Sequence, residues 1–506
     1  MATPSADYPH YERWSLDNLS TELIILILNH LCSVDVGSLS AVRLVSTRFN
    51  AIATPMRYHT IRMTQPIINP KAEDYFPQGI ANIYAHTAHV KVDSDLNAED
   101  VKRLLDKIVK LSSISWRYVQ DDLCKGDVWL PSDIIPPRHI ESNKIQLYIE
   151  NLPLRDFRFE QQNPYLKAIP TGILKSLKMA IPTPLLTARV GSLKDLLLNS
   201  RQLDTFWYED RGQGTQFEFN GSERLPPFQD LSLRSYDWNH DALAARQHWD
   251  FAKIRRLELV NVSVSRFLNS VSFADFQDLE ILRLDDYSPQ LSNTQLDATR
   301  SQYALIKQIR ALTDLRITCH TQSFPIDGIL HHAQSLQNLR FRDYTGFADE
   351  QRRCPTMNIE DLAGLSRALV NLRTLELDMD ERRCEPHRFL PILASFRQLH
   401  TLTLHTQTVL DPVRDTIVAS GRDLDCERAM YFFSLVQDNK QGAPWRSVTI
   451  NVGNWKPIMV RRLSAPWRRQ NSRGLYAERC FVMERRQDDD GNGAVTVREE
   501  LPIETS

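Results

Sequence analysis

A six-residue phrase, apolar-x-x-apolar-x-apolar, recurs along most of this chain as LDTFWY, FQDLSL, IRRLEL, LEILRL, LTDLRI, LQNLRF, LRTLEL and LHTLTL. Its fourth residues are Phe206, Leu231, Leu257, Leu282, Leu315, Leu339, Leu375 and Leu402, at intervals of 25, 26, 25, 33, 24, 36 and 27 residues. Fainter copies stand at LKSLKM (Leu177), WRSVTI (Val448) and LSSISW (Ile114). The alternation sends the fourth and sixth residues of each copy to one side of a short strand. Amphipathic helices are predicted between copies. In NIEDLAGLSRALVNL, Ile359, Leu362, Leu365 and Leu369 share a face and Asn358 is placed to cap the start. RFLPILASFRQL and DGILHHAQSLQNL repeat the idea. No such unit buries its apolar face alone, so neighbours must stack into an α/β array.

Ahead of the array lies LSTELIILILNHL, residues 19 to 31, with unbroken apolar side chains from Leu23 to Leu28. The run is too short to span a membrane, which takes roughly 20 apolar residues, and the acidic stretch before it does not suit a secretory signal. Ser20 is a plausible N-cap, Glu22 suits the helix dipole, and Leu19 with Ile24 occupy the positions of a hydrophobic staple. Asp35 is expected to cap a second short helix through Leu39, and a third should end before Thr54-Pro55. Leu23, Ile24, Ile27, Leu28 and Leu31 form one stripe, with Ile25 and Leu26 off it, so the helix is apolar nearly all round. Three short helices cannot cover it. The rest of the chain or another protein must.

The stretch LSTELIILILNHLCSVDVGSLSAVRLVSTRFNAIATP resembles an F-box, on Leu19, Glu22, Leu23, Ile27, Leu28, Leu31, Asp35, Leu39, Val45, Ser46, Arg48 and Phe49. Ser20 departs from the usual proline. The resemblance implies a three-helix module that docks on a Skp-family adaptor and, through it, on a cullin ligase. The adaptor-binding residues it implies are Leu19, Leu23, Ile24, Ile27, Leu28, Leu31, Leu39, Val45 and Phe49. The array in turn resembles leucine-rich repeats, though the expected asparagine is replaced by Val262, Tyr287, His320, Tyr344, Asp380 and Gln407, and unit lengths vary. An irregular α/β solenoid is expected. Its domain plan reads 1–15 disordered, 16–61 F-box, 62–82 linker or collar, 83–460 solenoid, and 461–506 a basic segment, β-hairpin and tail. The hairpin rests on the alternation in Cys480-Phe481-Val482 and Val495-Thr496-Val497 around a Gly/Asp/Asn turn.

The motifs of the sequence do not suggest catalysis. Nucleotide-binding glycine loops, H-E-x-x-H and G-x-S-x-G are missing from the sequence. Asp488, Asp490, Asn492, Gly493 and Glu499 fit the spacing of a calcium loop, but the β-prone VTV that follows favours a hairpin turn. His86 and His89 lack a placeable third ligand. The seven scattered cysteines read as reduced thiols. No metal and no cofactor is expected. Net charge is −2, so nothing global argues for nucleic acid or a membrane as the partner. Arg461, Arg462, Arg468, Arg469 and Arg473 around Trp467 read as a solvated basic face. The chain is expected in the cytoplasm, the nucleus or both.

Fifth residues of the phrase point away from the apolar rows, onto the exposed face of the sheet. They include Lys178, Trp207, Ser232, Glu258, Arg283, Arg316, Arg340, Glu376 and Thr403, with Arg342 one step along from Arg340. Trp207, Arg283, Arg316, Arg340 and Arg342 are thus candidate substrate-binding residues for an acidic or phosphorylated protein segment. Alternatively, Glu258, Asp285, Glu376 and Asp378 neutralise them and the face is merely solvated. Together the resemblances imply a non-catalytic substrate-recognition subunit of an SCF-type ubiquitin ligase. Its alternatives are an F-box scaffold acting without ubiquitination, an enzyme with a site assembled across repeats, and a nucleic-acid binder using the arginine-rich segment.

Overall fold

A computed structural model describes residues 16, 19–35, 37–119, 129–135, 144–152, 164–180, 190–210, 214–285, 292–344, 355–407, 423–453, 478–487 and 493–500. The fold is mixed α/β, with sixteen strands among the described residues. Two compact units are present. One comprises Met1–Pro153, Phe157–Leu177 and Asn199–Gln202, and the other Leu154–Asp156, Lys178–Leu198 and Leu203–Ser506.

The first unit opens with α1 (Thr21–Val34), α2 (Ser38–Val42) and α3 (Thr47–Tyr58). The Ser20 hydroxyl accepts the Leu23 N–H, as its N-cap position requires. Asp35 ends α1 through its N–H to the Leu31 carbonyl and accepts the Gly37 and Ser38 amides at the start of α2. Ser46 caps α3. Arg48 Nη2 donates to the Leu19 carbonyl at 2.7 Å and so ties the third helix to the mouth of the first. The third helix does not stop before Pro55; it runs on to Tyr58 with Pro55 inside. An interior proline costs roughly 3 kcal/mol. Here Met56, one residue beyond it, packs on the same apolar cluster as Phe49 and Ala53, so tertiary burial outweighs the local preference.

The segment read as an irregular linker is also helical, at Gln65–Ile68, Ala72–Tyr75 and Pro77–His86. Pro66 and Pro77 sit in first turns, where the missing N–H has no partner to lose. Ile68, Ala72, Ile80 and Ile83 are buried, so the segment is packed structure. Strands β1 (Thr60–Arg62), β2 (His89–Asp93), β3 (Ser113–Arg117) and β4 (Gln146–Leu152) follow, each parallel to the next. His89 is engaged with the Ser113 hydroxyl at 2.6 Å. The boundary between the units falls inside β5 (Leu174–Met179).

In the second unit the recurring phrase becomes β6 (Thr205–Glu209), β7 (Asp230–Arg234), β8 (Arg256–Val260), β9 (Ile281–Asp285), β10 (Asp314–Cys319), β11 (Asn338–Asp343), β12 (Thr374–Met379), β13 (Thr401–Thr406) and β14 (Ser447–Gly453). Each pairs in parallel with the next, with fourth residues in register from Phe206 and Leu231 through Leu402 to Val448. Those residues, and the sixth residues from Tyr208 through Leu404 to Ile450, are buried. Two continuous apolar rows result. The helix Ile359–Ala368 packs as predicted, with Asn358 accepting the Asp361 N–H and Leu362, Leu365 and Leu369 buried. Strand β15 (Glu478–Gln487) is antiparallel to β14, and β16 (Gly493–Glu500) is antiparallel to β15, with Gln487 opposite Gly493.

One buried histidine couples this unit to pH. His332 Nδ1 accepts the Leu312 N–H at 3.2 Å and its Nε2 lies 3.1 Å from the Ile306 carbonyl. The ring must therefore be the neutral Nε2–H tautomer, and protonating Nδ1 breaks the first bond. Burial lowers its pKa to about 4, and His331 and Lys307 add to the effect against the Ile306 bond. Between about pH 6.5, the ordinary histidine value, and pH 4 the unfolded chain takes a proton that the folded chain refuses. Stability therefore falls with pH across that window. His332→Gln should be less stable at neutral pH yet lose less stability on acidification. Urea midpoints along a pH series check this, and parallel curves for the two proteins would contradict it.

Candidate functional site

Two surfaces carry the residues that the sequence singles out, one in each unit. In the first, α1 divides its apolar residues between two faces. Ile24 and Leu28 turn inward and form a closed cluster with Leu39, Phe49 and Ala53, flanked by Leu19, Leu31, Cys32, Val42, Ile52 and Met56. Leu23, Leu26 and Ile27 turn outward, 48%, 64% and 49% exposed. With His30 they stand at i, i+3, i+4 and i+7, a single stripe on the side opposite the cluster. Leu44 and Val45, in the turn between α2 and α3, are exposed as well.

This splits the residue set expected to face an adaptor. Ile24, Leu28, Leu39 and Phe49 are internal and hold the helices together, so they offer no contact surface. Leu19 and Leu31 are half-buried. Leu23, Ile27 and Val45 are outward. Leu26 and Leu44 were missed. With Ile25, 38% exposed, six exposed aliphatic side chains lie close in sequence, which is unusual outside binding surfaces.

The second surface is the polar face of the second unit's sheet. Its register brings Arg283, Arg316 and Arg340 side by side across β9, β10 and β11, with Glu376 next on β12. The ladder exists, but each member is paired within the chain. Arg283 Nε reaches Asp285 at 2.6 Å and its Nη1 reaches Glu258 at 3.4 Å. Arg340 bridges Asp285 at 2.6 Å and Glu376 at 3.0 Å. Arg316 forks onto Asp314 at 2.9 and 3.0 Å. Glu258 also takes Arg234 and Arg256, and Glu376 takes His405 Nε2 at 2.8 Å. Burial works to raise the Glu376 carboxyl, but Arg340, the His405 hydrogen bond and Arg342 outweigh it and hold it well below the usual carboxylate range.

Arg342 corrects the expectation that it offers a fourth guanidinium. Its side chain is 4% exposed and donates twice to Asp378, at 2.8 and 3.0 Å. It is interior, because residue 342 falls where β11 is covered on both faces. Trp207 is likewise engaged: Nε1 donates to Asp230 at 3.0 Å, and Lys178 lies 4.0 Å from the ring centroid. With Asp230 at 3.5 Å from Arg256, six guanidiniums of this face meet six carboxylates. An acidic ligand would have to compete with these internal carboxylates. Arg316, 44% exposed, and Arg234, 38% exposed, reach furthest into solvent among these six.

The residues Arg461, Arg462, Trp467, Arg468, Arg469 and Arg473, with Asp488, Asp490 and Asn492, lie outside the described residues. From Gly493 the proposed calcium spacing runs along β16. Among the described residues, no three His, Cys, Asp or Glu side chains gather as metal ligands, and no helix is long and apolar enough to cross a membrane.

No protein-family model matches the chain, and no curated protein is significantly similar to it.

Proposed function

We propose that the chain is a non-catalytic substrate-recognition subunit of an SCF-type ubiquitin ligase. In this reading α1–α3 are an F-box docking on a Skp-family adaptor, and the parallel array is a degenerate leucine-rich-repeat solenoid presenting a bound protein. The observation that carries it is the outward stripe Leu23, Leu26 and Ile27, apolar and uncovered while a separate cluster holds the helices together. Burying these three with Leu44 and Val45, five aliphatic side chains, grosses roughly 1.5–3 kcal/mol each. That sum is comparable to the estimated ~4–15 kcal/mol cost of association, so the stripe suffices only when well packed. The motif's Arg48 supports the reading by bonding the Leu19 carbonyl at the start of the module.

The test uses Leu26→Asp with Ile27→Asp in the full chain, co-expressed with a Skp-family adaptor. Both positions are exposed, so the fold should persist with an unchanged circular dichroism spectrum. Adaptor affinity should fall by about tenfold or more, each ~1.4 kcal/mol of lost contact being a factor of ten. Wild-type adaptor capture by the double variant would refute the assignment.

A further inference from the structure

A second row of cations lies at the N-terminal ends of β12, β13 and β14, and differs from the neutralised ladder. Thr374 pairs with Thr401 and Thr401 with Ser447, so the residues just before them, Arg373, His400 and Arg446, are neighbours. Ser447 faces Glu484 across the antiparallel pair, which sets Arg485 beside Arg446, and the Arg485 N–H donates to the Arg446 carbonyl at 3.2 Å. Arg373, Arg446 and Arg485 are exposed, as is Arg397 just ahead of His400. None of these four has a carboxylate at ion-pair distance among the described residues. The field shows at His400, whose pKa is lowered first by burial and then by Arg446, Arg373 and Lys440.

Like charges opposed across neighbouring strands repel. On the polar face of this same unit every guanidinium of the ladder is matched by a carboxylate, and the unmatched row contrasts with it. Beside the row opens a cavity of about 250 Å³ whose walls include Lys440, Trp445, Met483, Arg485 and Val495. Its rim is fixed. Gly442 has φ +74°, and a Cβ there would stand 2.3 Å from the Arg397 carbonyl oxygen, which accepts the Ala443 N–H at 2.7 Å. Lys440 Nζ donates to the Phe396 and Gln441 carbonyls, both at 2.8 Å, and lies 4.6 Å from the Trp445 ring centroid.

We propose that this end of the sheet docks an acidic polypeptide segment, its carboxylates on Arg373, Arg446 and Arg485 and one side chain reaching into the cavity. Four neighbouring strands at ~4.8 Å spacing span ~14 Å, which about four residues of extended chain cover at ~3.3 Å each. A peptide fits better than a nucleic acid. Base stacking needs an open aromatic face, whereas Trp445 is 5% exposed, bonded through Nε1 to the Val436 carbonyl and covered by Lys440. The proposal stands independently of the adaptor reading; if both hold, it gives the substrate class and moves the binding surface away from the Arg283–Arg342 ladder.

The probe is a fluorescein-labelled peptide of glutamates around one central leucine, with its glutamine counterpart, titrated into the purified full chain and read by anisotropy. The acidic peptide should bind, its affinity should drop as salt screens the row, and the glutamine peptide should not bind. Arg373→Gln, Arg446→Gln and Arg485→Gln together should weaken binding by tenfold or more. These side chains are exposed and have no carboxylate partner among the described residues, so the triple variant should fold normally by circular dichroism. Arg255→Gln, Arg300→Gln and Arg310→Gln remove the same net charge from exposed pairs with Glu280, Asp297 and Asp278 and should leave binding intact. Equal losses in both triple variants, equal binding of the glutamine peptide, or no binding at all overturns the proposal. Tighter binding of labelled oligouridine than of the acidic peptide overturns it in favour of nucleic acid.

Discussion

Asp285→Ala is expected to destabilise the second unit by about 3–5 kcal/mol, the range for breaking a buried ion pair by deleting one partner. Asp285 is fully buried and accepts from Arg283 at 2.6 Å, Arg340 at 2.6 Å and the Thr318 hydroxyl at 3.1 Å. Its removal leaves two guanidiniums, 21% and 13% exposed, that keep Glu258 and Glu376 but lose the carboxylate between them. Arg316→Gln is the control. Arg316 is 44% exposed but its partner Asp314, on its own strand, is 11% exposed, so a smaller loss of about 1–3 kcal/mol is expected. A third variant, Asp285→Leu with Arg283→Met, removes one charge with one countercharge, leaves Arg340 on Glu376, and should recover part of the loss. Urea unfolding, followed by hydrogen exchange in β9–β11, separates the three. A loss below about 1 kcal/mol for Asp285→Ala would mean that the network contributes no net stability.

That network also marks how far sequence reasoning carries. The register of Arg283, Arg316 and Arg340 was legible, because fourth residues of the phrase must align to bury their leucines and the fifth residues then follow. The pairing was only half legible. Arg283 and Asp285 are two apart on one strand and so share a face. The bridge from Arg340 to Asp285, however, skips the intervening strand β10, and no periodicity announces it. The same limit applies at the row of Arg373, His400 and Arg446. Each is the second residue of its phrase and alignment alone puts them together, but Arg485 joins only through an antiparallel pair. Prolines misled in one direction. Pro66 and Pro77 start helices and Pro55 is carried inside one, because the residues around them have cores to reach. For α1 the obstacle was different: a helix apolar all round has no pattern to say which side is inside. The answer came from Leu39, Phe49 and Ala53, which receive Ile24 and Leu28.

Because that choice of side is so sharp, neighbouring residues of α1 should behave oppositely. Leu28→Asp is expected to unfold α1–α3, whereas Ile27→Asp leaves them folded. Leu28 is 2% exposed in a cluster whose buried members number five, so little other apolar contact remains to hold the three helices. Deleting a buried leucine side chain costs about 2–5 kcal/mol, and an unpaired carboxylate in its place adds a desolvation penalty of several kcal/mol more. Ile27 is half exposed and already meets water, so a carboxylate there is solvated. Hydrogen exchange on the full chain reads the difference. Amides of α1 should lose protection in Leu28→Asp and keep it in Ile27→Asp, while β6–β14 stay protected in both. Adaptor capture should fail in both, in the first for want of a module and in the second for want of a surface. Leu28→Ala serves as the intermediate case, folded but about 2–5 kcal/mol less stable. If α1 stays protected in Leu28→Asp, the inward face of the helix has been misassigned, and the outward stripe with it.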